Sequence, residues 1–146
     1  MRAVIQRVSS AVVVSDGVET ASIGAGLAIL LGVAVGDTEK NCDALAAKTA
    51  ALRIFCDNND KMNLSLLDVG GSAAVVSNFT LCADASHGHR PSFTGAALPD
   101  TAQPLYLRFI QKLRENGVND VQTGIFGADM QLSLVNDGPV TIVLDC

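Results

Sequence analysis

Polar and apolar residues alternate from the start of the chain, and the β-branched residues among them predict strands over 2–8 and 11–15, a turn at Asp16-Gly17 and a returning strand over 18–23. After Gly24 and Gly26, the apolar run Leu27 to Val35 reads as a buried strand. Asp37 or Thr38 stands where a helix needs its cap. Cys42, Leu45, Ala46, Thr49 and Leu52 then share the inner face of a helix running to about Arg53.

Asn58-Asn59-Asp60 and Gly70-Gly71 mark turns, and Ala73 to Val76 forms a short buried strand ending at Ser77. From Asp84 to Pro99 the chain is rich in Gly, Ser, His and Pro, and a loop of that length in a compact domain is usually functional or mobile. Asp100 is placed to cap a second helix reaching about Asn116, with Ala102, Leu105, Phe109 and Leu113 on one face and Gly117 as its stop. Met130, Leu132 and Leu134 alternate with Gln131 and Ser133. Gly138-Pro139 interrupts that pattern, and Val140 to Leu144 resumes it. The expected fold is α/β (α+β): one compact domain over 1–146, a mixed or antiparallel, barrel-like sheet and two main helices.

Composition adds an association. With 49% of residues hydrophobic and 17% charged, much apolar surface must be hidden, part of it against another subunit. The N-terminus shows no export leader, and Leu27 to Val35 is far shorter than the ~20 residues of a membrane helix, so a cytoplasmic protein without membrane contact is expected. Cys42, Cys56, Cys82 and Cys146 form no CxxC pair, which supports neither zinc binding nor a redox motif. A net charge of −5 argues against broad nucleic-acid binding; no DNA partner is expected, and any RNA contact must be local.

Conventional acid-base chemistry is scarce. His87 and His89 lie in a Gly/Ser loop with no acidic orienter beside them, and their spacing to Cys82 matches no usual zinc pattern. Two segments stand out. Ser77-Asn78-Phe79-Thr80-Leu81 leaves a buried strand and enters the long loop, where side chains and backbone N–H groups can face a ligand, although turn hydrogen bonds and core filling explain the same residues. Asn136-Asp137-Gly138-Pro139-Val140-Thr141 interrupts a strand pair, and an ordinary hairpin turn explains it equally well. Arg7, charged within an apolar pattern, fits an edge or snorkelling position.

Both segments resemble the Ser-Gln-Phe-Thr-Leu and Asn-x-Gly-Pro-Val-Thr motifs of the D-aminoacyl-tRNA deacylases, also called D-tyrosyl-tRNA deacylases. The likeness extends in family order through Met1 to Val8, Gly24-Ala25-Gly26-Leu27, Lys61-Met62-Asn63-Leu64, Arg90-Pro91-Ser92-Phe93, Gln122-Thr123-Gly124 and Leu134-Val135-Asn136. One departure is Asn78, which stands where the family has Gln and shortens the amide's reach by one methylene.

The resemblance implies a homodimer with shared active sites that hydrolyses the ester joining a D-amino acid, or glycine, to the tRNA 3′ end, without a cofactor or metal. The Gly138-Pro139 peptide bond would be cis and would enter the partner's site. There its carbonyls would grip the substrate's α-amino group and leave no room for an L side chain. Ser77, Asn78, Phe79 and Thr80 would form the catalytic segment, with the backbone N–H groups of Phe79 and Thr80 as oxyanion donors. The ribose hydroxyl beside the ester would assist the attacking water. Arg7 would brace the Gly-Pro segment, and Met130, Lys61 and Asn63 complete the supporting and substrate-binding set. A rival reading is a small-molecule esterase or amidase using Thr80 or Cys82 with a loop histidine as base. A second rival is a non-catalytic module that binds the RNA end.

Overall fold

The computed structural model describes residues 1–146. One long strand, β1 (Arg2–Ser15), organises the sheet: 2–8 and 11–15, expected as two strands, are continuous. On one edge β1 pairs antiparallel with β2 (Val18–Ile23) and then β3 (Gly26–Gly32). Along its other edge runs β8 (Met130–Asp145), also antiparallel and equally long. Beyond β3 the sheet continues in parallel through β6 (Ser72–Ser77) and β7 (Val121–Thr123). β7 returns towards β2, where the Ser22 N–H donates to Gln122 Oε1 at 2.7 Å, so the mixed sheet nearly closes.

Two helices cover one face. In α1 (Glu39–Ala50), capped by Thr38 through Asn41, the residues Cys42, Leu45, Ala46 and Thr49 are buried, and Leu45 meets the core that Ala3, Ile5, Leu27, Ile29 and Val75 present from the sheet. The helix ends three residues before Arg53. α3 (Pro99–Glu115) buries Ala102, Leu105, Phe109 and Leu113 as expected. Its cap, however, is Leu98, and Asp100 lies in the first turn: Pro99, which has no N–H to lose, takes the opening position. Gly117 follows with φ +101°, the left-handed stop that glycine supplies. A short helix α2 (Leu66–Val69) and a small hairpin of β4 (Phe55–Cys56) and β5 (Met62–Leu64) complete the fold.

The expected buried strand ends earlier than the apolar run. Pairing stops at Gly32, and Val33 to Val35 turn away to contact the long loop: the Ala97 N–H donates to the Val33 carbonyl and the Val35 N–H to that of Gly95. The reading of Asn136 to Thr141 as a hairpin turn is wrong. Both halves of β8 pair with the same strand, β1. Gln6 faces Thr141 and Val8 faces Asn136, so the single residue Arg7 lies opposite the four residues 137–140. The segment is an oversized β-bulge on one continuous strand, and Gly138-Pro139 is its crest.

Candidate functional site

Ser77 closes β6 beside Leu31 of β3, and the Asn78 N–H donates to the Leu31 carbonyl at 2.8 Å. A single turn of 3₁₀-helix, Phe79–Cys82, begins there. Asn78 caps it: its side-chain Oδ1 accepts from the Thr80 N–H at 3.1 Å and from the Thr80 hydroxyl at 2.5 Å. The Thr80 N–H, expected as an oxyanion donor, is therefore already engaged within the protein. The Phe79 N–H has no such side-chain partner.

Phe79 is 59% exposed, unusual for so large an apolar side chain. It stands edge-on to Phe93 at 5.3 Å, and Phe93 belongs to the long loop. Paired backbone bonds between Asp84 and Ser92 staple that loop to itself, and the Ala97–Val33 and Val35–Gly95 bonds hold it against the segment that follows β3. Loop, turn and helix thereby enclose a cleft of about 570 Å³, lined mostly by apolar residues. Ser77, Asn78, Phe79 and Met130 line it, with Phe93, Leu98, Tyr106 and Phe126.

Tyr106 escaped the sequence reading, although its four-residue spacing from Ala102 and three-residue spacing to Phe109 place it on the buried face of α3. Its hydroxyl donates to the Val75 carbonyl at 2.9 Å, and burial pushes its pKa up to about 12. It remains a protonated donor and cannot serve as a base near neutral pH. Asp129 is the one formally charged residue in the lining. The cleft thus offers shape and dipoles, and little acid-base chemistry.

A second group of expected residues gathers elsewhere. Arg7 is 8% exposed, which overturns the edge or snorkelling reading: it shares the inward alternation of Ala3 and Ile5. Its Nε donates to the Asp137 carbonyl at 3.2 Å and lies 3.0 Å from the Asp137 carboxylate, while Nη1 donates to the Ile54 carbonyl at 2.6 Å. The guanidinium thus ties the bulge to the segment entering β4. Gly138 has φ +124°, and the Gly138-Pro139 peptide bond is cis. Gly138, Pro139 and Asp137 are all exposed.

Lys61 and Asn63 belong to the β4–β5 hairpin at this same end of the molecule. The Asn63 side chain is held by Arg53 and donates to Asp57 at 3.1 Å, and the Lys61 backbone pairs with Asp57. Within one chain the two groups stand apart. Arg7 pairs with Leu27, whereas Ser77 pairs with Leu31, four residues on along β3 or roughly 13 Å at a strand's rise. The esterase reading finds no geometry: His87 Nδ1 meets the Ser86 hydroxyl at 2.8 Å, and neither histidine lines the cleft. Burial also raises the pKa of Cys82, which disfavours a thiolate.

Comparison with known proteins gives a consistent picture. The family described as D-Tyr-tRNA(Tyr) deacylase matches residues 4–145. A D-aminoacyl-tRNA deacylase of Roseiflexus castenholzii is 58% identical over 99% of this chain and 92% of its own length. One from Pelobacter propionicus is 54% identical over 99% of both chains. Among solved structures, a c-Myc DNA Unwinding Element Binding Protein superposes with a TM-score of 0.94 at 36% identity, covering 100% of this chain and 99% of its own. A probable eukaryotic D-amino acid tRNA deacylase, 17% identical over 99% of this chain and 98% of its own, superposes with a TM-score of 0.83 and shares the fold.

Proposed function

The chain belongs to the D-Tyr-tRNA(Tyr) deacylase family and is a D-aminoacyl-tRNA deacylase; from that premise we propose how its two separated groups of residues perform the reaction. The observation that carries the proposal is their separation: an apolar cleft at Ser77 to Phe79, and an exposed, internally braced Gly138-Pro139 crest at the other end of the molecule. Neither is complete alone. A homodimer joins them, with the crest of one protomer entering the cleft of its partner.

In that assembly the cleft receives the aminoacyl end of the tRNA. Water attacks the ester carbonyl, the tetrahedral intermediate collapses, and the ribose oxygen leaves with a proton, giving free amino acid and tRNA. The ester is already activated, and the neighbouring ribose hydroxyl orients the water, so the protein contributes position and dipoles rather than a base. The carbonyls of Gly138 and Pro139 hold the α-amino group. Being main chain, they test only the configuration at Cα, so D-amino acids pass whatever their side chain and L-amino acids collide. Glycine has no side chain to exclude, and glycyl-tRNA mischarged on tRNA-Ala becomes a substrate. Lys61, Asn63 and Met130 contact the substrate end, and Arg7 fixes the crest.

No DNA binding is carried over from the structural neighbour, because a net charge of −5 opposes sequence-independent phosphate contacts. A cytoplasmic site of action follows from the substrate. The test is cleavage of matched D- and L-aminoacyl-tRNA together with glycyl-tRNA. Fast hydrolysis of D-esters of differing side chains and of glycyl-tRNA, with negligible action on L-esters, is expected; comparable D and L rates would sink the proposal.

A further inference from the structure

Phe126 to Met130, five consecutive residues between β7 and the start of β8, all line the cleft. The backbone of 126–128 bonds to no other element; the Ala128 N–H reaches back to the Ile125 carbonyl at 3.2 Å. The wall is held at its two ends, by two adjacent residues of the β1–β2 turn. Ser15, 1% exposed, accepts the Ile125 N–H on its hydroxyl oxygen at 3.2 Å. That hydroxyl lies 2.9 Å from the Thr20 hydroxyl, which donates to the Val13 carbonyl at 3.4 Å, so Ser15 donates to Thr20 and keeps its lone pairs for Ile125. Asp16, with φ +48°, and Gly17, with φ +82°, turn β1 into β2. The Asp16 N–H donates to the Asp129 carbonyl at 2.9 Å, and the Asp129 N–H donates back to Asp16 Oδ1 at 3.2 Å. Neither Ser15 nor Asp16 lines the cleft.

We infer that Ser15 and Asp16 are positioning residues for the deacylase reaction, the β1–β2 turn acting as a clamp that fixes the Phe126 to Met130 wall against which the aminoacyl end is held. This rests on the deacylase reading of the cleft. A site with no base of its own depends on how closely the ester is confined, and a wall free to shift by ~1 Å forfeits that confinement without any loss of chemical groups. Met130 is seated by the same clamp. A Cβ on Gly124 would lie 2.3 Å from its sulfur, 3.3 Å from Val13 Cγ1 and 3.6 Å from Ser15 Oγ, so the thioether rests on bare backbone beside the Ser15 hydroxyl. Gly127, at φ +80°, gives the wall a backbone with little stiffness of its own, and the two ties supply what the loop lacks.

The double variant Ser15→Ala/Asp16→Gly removes both side-chain acceptors, while glycine keeps the left-handed turn and the backbone bond to the Asp129 carbonyl. The readout is the single-turnover rate of D-aminoacyl-tRNA cleavage at saturating enzyme. A smaller folded fraction would lower the enzyme available but not that rate, so a merely structural role would leave it unmoved. The rate should fall about 10- to 100-fold in the double variant and about three- to fivefold in Asp16→Gly alone. Asp16→Asn, which keeps both an acceptor oxygen and tolerance of positive φ, should stay within about twofold of the parent. A double variant within about twofold of the parent overturns the inference, as does an Asp16→Asn rate as low as that of Asp16→Gly. If the double variant does not fold, Asp16→Gly decides, and a parental rate there overturns the inference. Those outcomes leave the deacylase reading standing, because the parent's own cleavage of D-esters tests it in the same experiment.

Discussion

At the Arg7 end of the molecule a buried guanidinium gathers two distant segments, carrying a bulge that has nothing of its own to act upon. The Ser77 end is the reverse: an open apolar cleft, a large phenylalanine left in solvent, and a turn held by hydrogen bonds between neighbours. On the proposed mechanism, rigidity is invested where main-chain atoms would be presented to the substrate, and space is left where a varied side chain would be received. A filter that reads only Cα would need its carbonyls fixed to a fraction of an ångström, whereas the pocket behind it would gain nothing from a close fit. The two ends make sense as halves of one site divided between protomers.

The division can be broken directly. Ala96→Trp should block the cleft that Ala96 lines, and Gly138→Ala should spoil the crest. Each variant alone is expected to be nearly inactive. After unfolding and refolding together, heterodimers contain one site built from the intact cleft of one chain and the intact crest of the other. Activity should rise well over tenfold above either variant, as read by D-aminoacyl-tRNA cleavage. No recovery in verified heterodimers would place both halves of the site in one chain.

Gly138→Ala by itself carries the next largest effect. An added Cβ would lie 2.8 Å from Val140 Cγ2, 3.0 Å from Arg7 Nη2 and 3.1 Å from the Val140 N, at a φ of +124° that L side chains rarely adopt. Strain of about 1–3 kcal/mol is the expected stability cost. Activity should suffer more, by around a hundredfold, because displacing the carbonyls by ~1 Å is enough to lose that much. A variant with parental D-ester kinetics would show that the crest does not touch substrate.

Much of the architecture was legible because it follows from periodicity: the buried faces of α1 and α3, the apolar β3 and the alternation of Met130, Leu132 and Leu134. What could not be read depended on pairing. Whether Asn136 to Thr141 turns a hairpin or bulges from one strand is decided by the register of β1, some 130 residues away, and alternation is silent on that. Arg7 illustrates the same limit. Its phase matched Ala3 and Ile5, yet burying a charge is plausible only once its oxygen partners, Ile54 and Asp137, are known. At the candidate site, the segments stood out through family resemblance, but the capture of the Thr80 N–H by Asn78 is a matter of side-chain geometry.

Arg7→Ala should cost about 2–3 kcal/mol of stability. Breaking a buried ion pair typically costs ~3–5 kcal/mol, and the figure is discounted here because the Asp137 side chain is 57% exposed and screened by solvent. Arg7→Lys should recover little, since an ammonium cannot reproduce the fork that serves Ile54 and Asp137 together. Denaturant unfolding gives the stability. Chiral discrimination should weaken in parallel, read as the ratio of D- to L-ester cleavage; an unchanged ratio would mean that the crest holds its shape without the guanidinium.

Thr80→Ala should lower cleavage by only about three- to tenfold, through loosening of the turn that Asn78 caps rather than loss of a nucleophile. Trapping of an acyl-Thr80 species in the parent would contradict this account. The smallest effect is expected from replacing His87 and His89 together by alanine. His87 contacts Ser86, whose hydroxyl in turn donates to Asp84 at 2.6 Å, a chain of contacts that suggests a proton relay on paper. It leads nowhere near the reaction: all three side chains are exposed, and none lines the cleft. The double variant should therefore keep D-ester cleavage within about twofold and leave its dependence on pH unchanged. A tenfold loss, recovered by adding imidazole to the assay, would restore the histidine-dependent esterase reading and remove the reason for assigning the proton transfers to RNA and water.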